Sequence, residues 1–132
     1  MQRRSSDSVG IKLFKLDYNG IMEKLKGYAE RILRRGARTV ILIGSLAKRN
    51  YTAFSDADVV IICDNVPRNP IDRIKDFIDP SLPIDIDPKV YTSKEFMEMA
   101  RQGKKIIKEI VEHGIILGGD RGIVEKARKL LK

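Results

Sequence analysis

Apolar residues along this chain follow two spacings, and the changes between them predict the order of helices and strands. Two short runs rich in Val and Ile, at 39–43 and 59–62, flank a polar connection. Such runs are typical of buried strands. Helical spacing of apolar residues predicts a helix over 17–35, with Gly36 just beyond its end. The first half of the chain therefore predicts a helix followed by two neighbouring strands.

The second half of the chain alternates between the same two patterns. The predicted elements are a short helix from Pro70, an alternating strand over 83–91, a helix over 93–113, an extended segment over 115–117 and a basic helix over 122–132. Thr92 and Glu95 form a capping-box pattern at the start of the long helix. This order predicts an α+β (α/β-like) fold, in which helices flank a central mixed β-sheet.

Chain length and composition bear on the domain organisation and the cellular location. The 132 residues are predicted to form one domain, with residues 1–12 as a loose N-terminal tail. No apolar run approaches the roughly 20 residues that span a bilayer, so no membrane role is expected. The N-terminus lacks the apolar core of a signal peptide, and the single Cys63 fits a reducing compartment. We therefore expect a cytoplasmic protein.

The polar connection between the first two strands carries the candidate chemistry. It begins with Gly44 and Ser45, which suit a tight turn whose amides hold phosphate oxygens. It ends with Asp56 and Asp58, which point to one side of an extended strand because they are two residues apart. Two such carboxylates repel each other, and Mg²⁺ together with substrate phosphates would compensate them. This combination is suited to phosphoryl or nucleotidyl transfer.

These residues also carry a resemblance to a known family. Gly44-Ser45, then about ten residues, then Asp56-Ala57-Asp58 between apolar strands resembles the DNA polymerase β-like nucleotidyltransferase superfamily. At this length the chain is most similar to the minimal nucleotidyltransferases of archaea and bacteria. The resemblance implies the polymerase β-type nucleotidyltransferase fold, with Gly44 and Ser45 holding the β- and γ-phosphates.

The resemblance extends to further site residues. Lys48 occupies a position where a basic residue commonly contacts the triphosphate, whereas Arg49 replaces a frequent glycine and is either a phosphate contact or a surface charge. Ser55 either orients the adjacent carboxylate or ends the turn. The family uses a third carboxylate from a neighbouring strand. We expect Asp85, which we take to lie deeper in its strand, with Asp87 as the fallback; the alternative is an ordinary acidic strand face.

The function implied by the resemblance is transfer of a nucleoside monophosphate, AMP from ATP being the expected case, to an acceptor hydroxyl. Asp56, Asp58 and Asp85 would hold two Mg²⁺ ions. The acceptor would be a protein, an RNA or a small molecule. Minimal nucleotidyltransferases often act beside a small helical HEPN-type partner, so the antitoxin half of a toxin–antitoxin pair is one implied role.

A competing hypothesis is a catalytically weak module that binds nucleotide or RNA or neutralises a partner. The net charge of +8 invites nucleic-acid binding. The basic residues are spread along the chain without interleaved aromatic residues, however, so they do not form a stacking platform for single strands. A solvated charged surface is therefore favoured over nucleic-acid binding.

Overall fold

The computed structural model describes residues 18–52 and 55–131, and the predicted tail at 1–12 lies outside these ranges. The helices are α1 (Tyr18–Arg34), α2 (Gly44–Lys48), α3 (Pro70–Ile74) with a 3₁₀ turn (Lys75–Phe77), α4 (Ser93–Arg101), α5 (Lys105–His113) and α6 (Gly122–Leu130). The strands are β1 (Thr39–Ile43), β2 (Ala57–Ile62), β3 (Ile86–Tyr91) and β4 (Ile115–Gly119).

The four strands form one mixed sheet in the order β3-β2-β1-β4. Strand β1 is antiparallel to both of its neighbours, whereas β2 and β3 run parallel. The two apolar runs are the central strands, and every residue of β1 is buried. The predicted α+β fold with a central mixed sheet and flanking helices is confirmed.

Helices cover both faces of the sheet. Because side chains alternate along a strand, Val40 and Leu42 pack on the α1 side, while Ile41 and Ile43 pack on the opposite side. The first face is covered by α1 through its buried apolar stripe, which includes Leu25. The second face is covered by α4, α5 and α6 through the buried residues Phe96, Ala100, Ile107, Ile110, Ile123, Val124 and Ala127.

The prediction of a single helix over 93–113 is wrong, because the structure divides this segment into α4 and α5. Helix α4 begins with the predicted capping box between Thr92 and Glu95, which is confirmed. It ends where Gly103 adopts a φ of +68°. The Gly103 amide donates to the Ala100 carbonyl, and the Lys104 amide donates to the Met99 carbonyl. This is the Schellman arrangement that closes a helix.

Within residues 18–52 and 55–131, every helix is too short or too polar to cross a bilayer.

Candidate active site

The turn that follows β1 brings the backbone of Gly44 against a carboxylate of β2. Gly44 has a φ of +78°, in the left-handed region that favours glycine. Its predecessor Ile43 pairs with Asp58 across the sheet. A Cβ atom on Gly44 would overlap Oδ2 of Asp58 and would lie 3.2 Å from its Cγ. The structure therefore needs glycine at position 44 both for the turn and for its contact with Asp58.

Asp58 is joined by a second carboxylate from the neighbouring strand. Asp87 of β3 is the register partner of Asp58 in the parallel pair. The Lys89 Nζ lies 3.5 Å from Oδ1 of Asp58 and 3.2 Å from Oδ2 of Asp87. The ammonium thus bridges two carboxylates that would otherwise repel each other.

The pKa values of this cluster reflect burial and mutual charge. Burial raises the pKa of the Asp58 carboxyl; Lys89 counteracts this shift, whereas the hydrogen bond and negative charge of Asp87 add to it. Burial alone would lower the pKa of the Lys89 ammonium, but Asp87 and Asp58 together raise it. The net effect is that the charged form of Asp58 is disfavoured in the fold, a penalty that an additional cation would relieve.

The other two predicted carboxylates lie at the edges of this cluster. Asp56 is exposed and directly precedes β2, and Asp85 is exposed and directly precedes β3. The expectation that Asp85 lies deeper in its strand is wrong, because the strand begins at Ile86. The Asp85 carbonyl accepts a hydrogen bond of 2.8 Å from the Ala57 amide, and this bond joins the starts of β2 and β3.

The amide side of the turn contacts a carboxylate that the sequence did not indicate. The Gly44 amide donates a hydrogen bond of 2.9 Å to Oε2 of Glu109, which lies on α5. The Lys48 Nζ lies 3.6 Å from the same oxygen. No local motif marks Glu109, since it reaches the turn only through the packing of α5 on β1. Gly44 and Lys48 are thus brought together around one anionic oxygen.

The remaining predicted residues make contacts within the loop or with helix α1. Arg49 has a φ of +64°, and its guanidinium carbon lies 4.3 Å from the centroid of the Tyr18 ring. This cation–π contact indicates a packing role at the surface. The Ser55 hydroxyl accepts a hydrogen bond of 2.9 Å from the Thr52 amide, which supports the turn-ending interpretation of Ser55. Ser45 is half-buried at the start of α2, and its carbonyl accepts from the Asn50 amide.

The donor set fits a hard divalent cation that takes part of its coordination from substrate. Among the residues that the structure describes, no group of three or more His, Cys, Asp or Glu side chains is arranged to hold a metal. Asp58 and Asp87, however, face each other across adjacent strands. Mg²⁺ commonly binds through one or two carboxylates together with substrate phosphates. Asp58 and Asp87, which lie beside the Gly44 turn, supply two such carboxylates.

Comparisons with known proteins address the family and the fold of the chain. Residues 22–117 match the nucleotidyltransferase domain family. Comparison with curated proteins finds no match. Among solved structures, a toxin–antitoxin crystallised with AMP-PNP is similar, with a TM-score of 0.56 and 17% identity over 80% of this chain and 85% of that chain. A mutant form of the toxin–antitoxin MntA–HpeT has a TM-score of 0.54 and 16% identity over 80% and 84% of the two chains.

At these identities the structural likeness concerns the fold, whereas the family match rests on sequence. The matched segment contains both central strands, the Gly44 turn, Asp58 and Asp87. It covers well over half of the chain. The resemblance stated from the motif is therefore confirmed. The chain belongs to the nucleotidyltransferase domain family and is a nucleotidyltransferase.

Proposed function

We propose that the chain transfers a nucleoside monophosphate, AMP from ATP, to an acceptor hydroxyl in a reaction that depends on Mg²⁺. The observation that carries the proposal is the contact of Gly44 with Asp58, which itself faces Asp87. This arrangement joins donors for phosphate oxygens to a pair of carboxylates. A triphosphate can then bind with one end on amides and its reacting phosphorus near the carboxylates.

The phosphate side of the site would be formed by the turn. Gly44 and Ser45 present backbone amides at the start of α2, and Lys48 supplies a positive charge. These groups would bind the β- and γ-phosphates and so orient the pyrophosphate as the leaving group. Ser45 would act as a binding residue and not as a nucleophile.

The metal side of the site would be formed by carboxylates of β2 and β3. Asp58 and Asp87 would hold Mg²⁺, with Asp56 completing the set at the strand entrance. When bound, Mg²⁺ would neutralise triphosphate charge and lower the pKa of the acceptor hydroxyl. We assign the third carboxylate to Asp87, because it is the register partner of Asp58 and Asp85 precedes the strand. The proton of the acceptor would pass to one of these carboxylates.

The kind of proteins that share the fold supports a proposal for the partner and the acceptor. Both structures reported above are toxin–antitoxin assemblies. We propose that this chain also acts beside a partner protein, in the cytoplasm, and the family resemblance implies a small helical partner of the HEPN type. The acceptor hydroxyl would belong to that partner protein, to an RNA or to a small molecule. In the first case the chain would be the antitoxin.

A second candidate is a binding module that neutralises its partner with little catalysis. The observation that favours it is the internal pairing of the site: Glu109 already satisfies the Gly44 amide, and Lys89 already bridges Asp58 and Asp87. An enzyme must exchange these contacts for substrate and metal, whereas a binding module can keep them. The two candidates differ in whether turnover is lost when Asp58 is changed.

The test is incubation with α-labelled ATP and Mg²⁺ in a lysate of the source cells. Wild type is compared with Asp58→Asn and with Asp72→Asn, which removes an exposed carboxylate at the start of α3. Label on a protein, RNA or small molecule with wild type and Asp72→Asn, but not with Asp58→Asn, is the expected result. Equal labelling by all three proteins would contradict the proposal. Absence of labelling together with retained partner binding would favour the binding module.

A further inference from the structure

Glu109 places a carboxylate among groups suited to phosphate oxygens. Its Oε2 accepts the Gly44 amide at 2.9 Å and lies 3.6 Å from the Lys48 Nζ. Helix α5 brings it there because the flanking residues Ile107 and Ile110 are buried against the sheet. A carboxylate oxygen and a phosphate oxygen are both anionic acceptors, so the same donor and cation suit either of them.

We propose that Glu109 is an internal anion that occupies the position of a triphosphate oxygen and must leave it before a nucleotide binds. Glu109 would thereby set the affinity of the site for nucleoside triphosphate. This inference rests on the proposed function, in which Gly44 and Lys48 bind the triphosphate. It adds a residue on α5 that limits nucleotide binding.

The competition follows from hydrogen-bond capacity and charge. A backbone amide has one proton to donate, so Gly44 cannot fully serve both Glu109 and a phosphate oxygen. Two anions around the same amide also repel each other. The apparent affinity of a ligand falls in proportion to the fraction of molecules in the competent state. Any population of the Glu109 contact therefore weakens triphosphate binding.

The displaced carboxylate has an accessible alternative position. The Glu109 side chain is 30% exposed, so its carboxylate can rotate toward solvent and remain hydrated. Lys105 lies four residues earlier on α5 and is exposed. Residues at this spacing are neighbours on a helix surface and form ion pairs. Release of Glu109 therefore requires a change of rotamer and no movement of the helix.

The experiment measures the affinity for α,β-methylene ATP with Mg²⁺ by titration calorimetry. Glu109→Gln removes the charge, and Glu112→Gln makes the same change on an exposed residue of the same helix. Glu109→Gln is expected to bind the analogue about 3–10-fold more tightly than wild type. This is the gain expected if the contact of Glu109 with Gly44 is populated in about 70–90% of wild-type molecules. Glu112→Gln is expected to change affinity less than about twofold, because solvent ions screen an exposed charge.

Glu109→Ala serves as a second variant, since glutamine still offers an acceptor oxygen to Gly44. Tighter binding by both Glu109 variants, with melting temperatures close to that of wild type, would support the inference. Binding that is unchanged or weaker in both variants would overturn it while leaving the proposed function intact. Failure of every protein, wild type included, to bind the analogue would overturn the proposed function itself.

Discussion

Gly44→Ala is the substitution that most sharply separates catalysis from stability in this chain. The added Cβ would overlap Oδ2 of Asp58 and lie 3.2 Å from Cγ and 3.3 Å from Cβ of the same residue. Carbon and oxygen atoms need about 3.5 Å for an unstrained contact. The carboxylate must therefore retreat by roughly 1 Å, or the turn must open by a similar amount.

This displacement gives the expected magnitudes. A left-handed φ costs an L-residue about 1–2 kcal/mol, and the overlap with Asp58 adds to this cost, so Gly44→Ala should lower the free energy of unfolding by more than about 1–2 kcal/mol. A misplacement of about 1 Å at a reacting centre can reduce the rate about 100-fold. Label transfer should therefore fall about 100-fold in a protein that remains folded.

Gly36→Ala is the matched control, because Gly36 has a φ of +113° and a Cβ there would meet no atom within 4 Å. This variant carries a backbone strain of the same kind without touching the site. The assays are urea unfolding and the initial rate of label transfer from α-labelled ATP. Gly36→Ala should lose stability and keep its rate. If Gly44→Ala keeps a rate similar to that of Gly36→Ala, the contact between the turn and Asp58 is not part of the active site.

Four further substitutions test the electrostatics and one helix cap by chemical denaturation. Asp58→Asn should stabilise the protein at pH 8 by less than about 1 kcal/mol, since solvent screens this half-exposed group. The pKa of Asp58 is raised by burial, so the folded state binds more protons than the unfolded state and wild-type stability falls as pH rises above the ordinary carboxyl range. The stability gained by Asp58→Asn should vanish near pH 3. A larger gain at pH 3 than at pH 8 would contradict the predicted direction of the pH dependence. Arg73→Met should lower the free energy of unfolding by about 2–4 kcal/mol. Arg73 is buried, and its loss leaves Glu95 and three backbone carbonyls without their donor. Glu95→Gln should cost clearly less, and equal losses would refute this account. Thr92→Ala should cost about 1 kcal/mol, because it removes the hydroxyl that accepts the Glu95 amide; no measurable loss would argue against the cap.

Features encoded in short segments were predictable from the sequence. The strand over 39–43 has its predicted bounds, because a run of Val and Ile between a helix end and a Gly-Ser turn has few alternatives. The capping box at Thr92 was predictable because its two partners are only three residues apart in the sequence. The Gly44 turn and Asp58 were found because their spacing is itself the motif.

Features that depend on distant packing were not predictable. Ile71 lies in the short helix that was predicted from Pro70, and although it is apolar it is 76% exposed, while Arg73 is buried. The helix is only one turn long before it tightens to 3₁₀, so the apolar spacing changes within it. The Arg73 guanidinium is buried because Glu95, which is distant in sequence, supplies its counter-charge.

The register of β3 likewise could not be read from its alternating pattern. Asp85 and Asp87 occupy equivalent positions in the alternating pattern, because they are two residues apart. Only the pairing of β3 with β2 distinguishes them. Glu109 reaches Gly44 across 65 residues of chain, a contact fixed by the packing of α5.

The central claim is that Asp58 and Asp87 form the catalytic carboxylate pair, and the most direct measurement compares Asp87→Asn with Asp85→Asn. The two substitutions make the same charge change at positions two residues apart. The readout is label transfer from α-labelled ATP with Mg²⁺, together with Mn²⁺ affinity by electron paramagnetic resonance. We expect Asp87→Asn to abolish transfer and weaken Mn²⁺ binding, and Asp85→Asn to retain both. Loss of transfer in Asp85→Asn with full activity in Asp87→Asn would contradict the assignment.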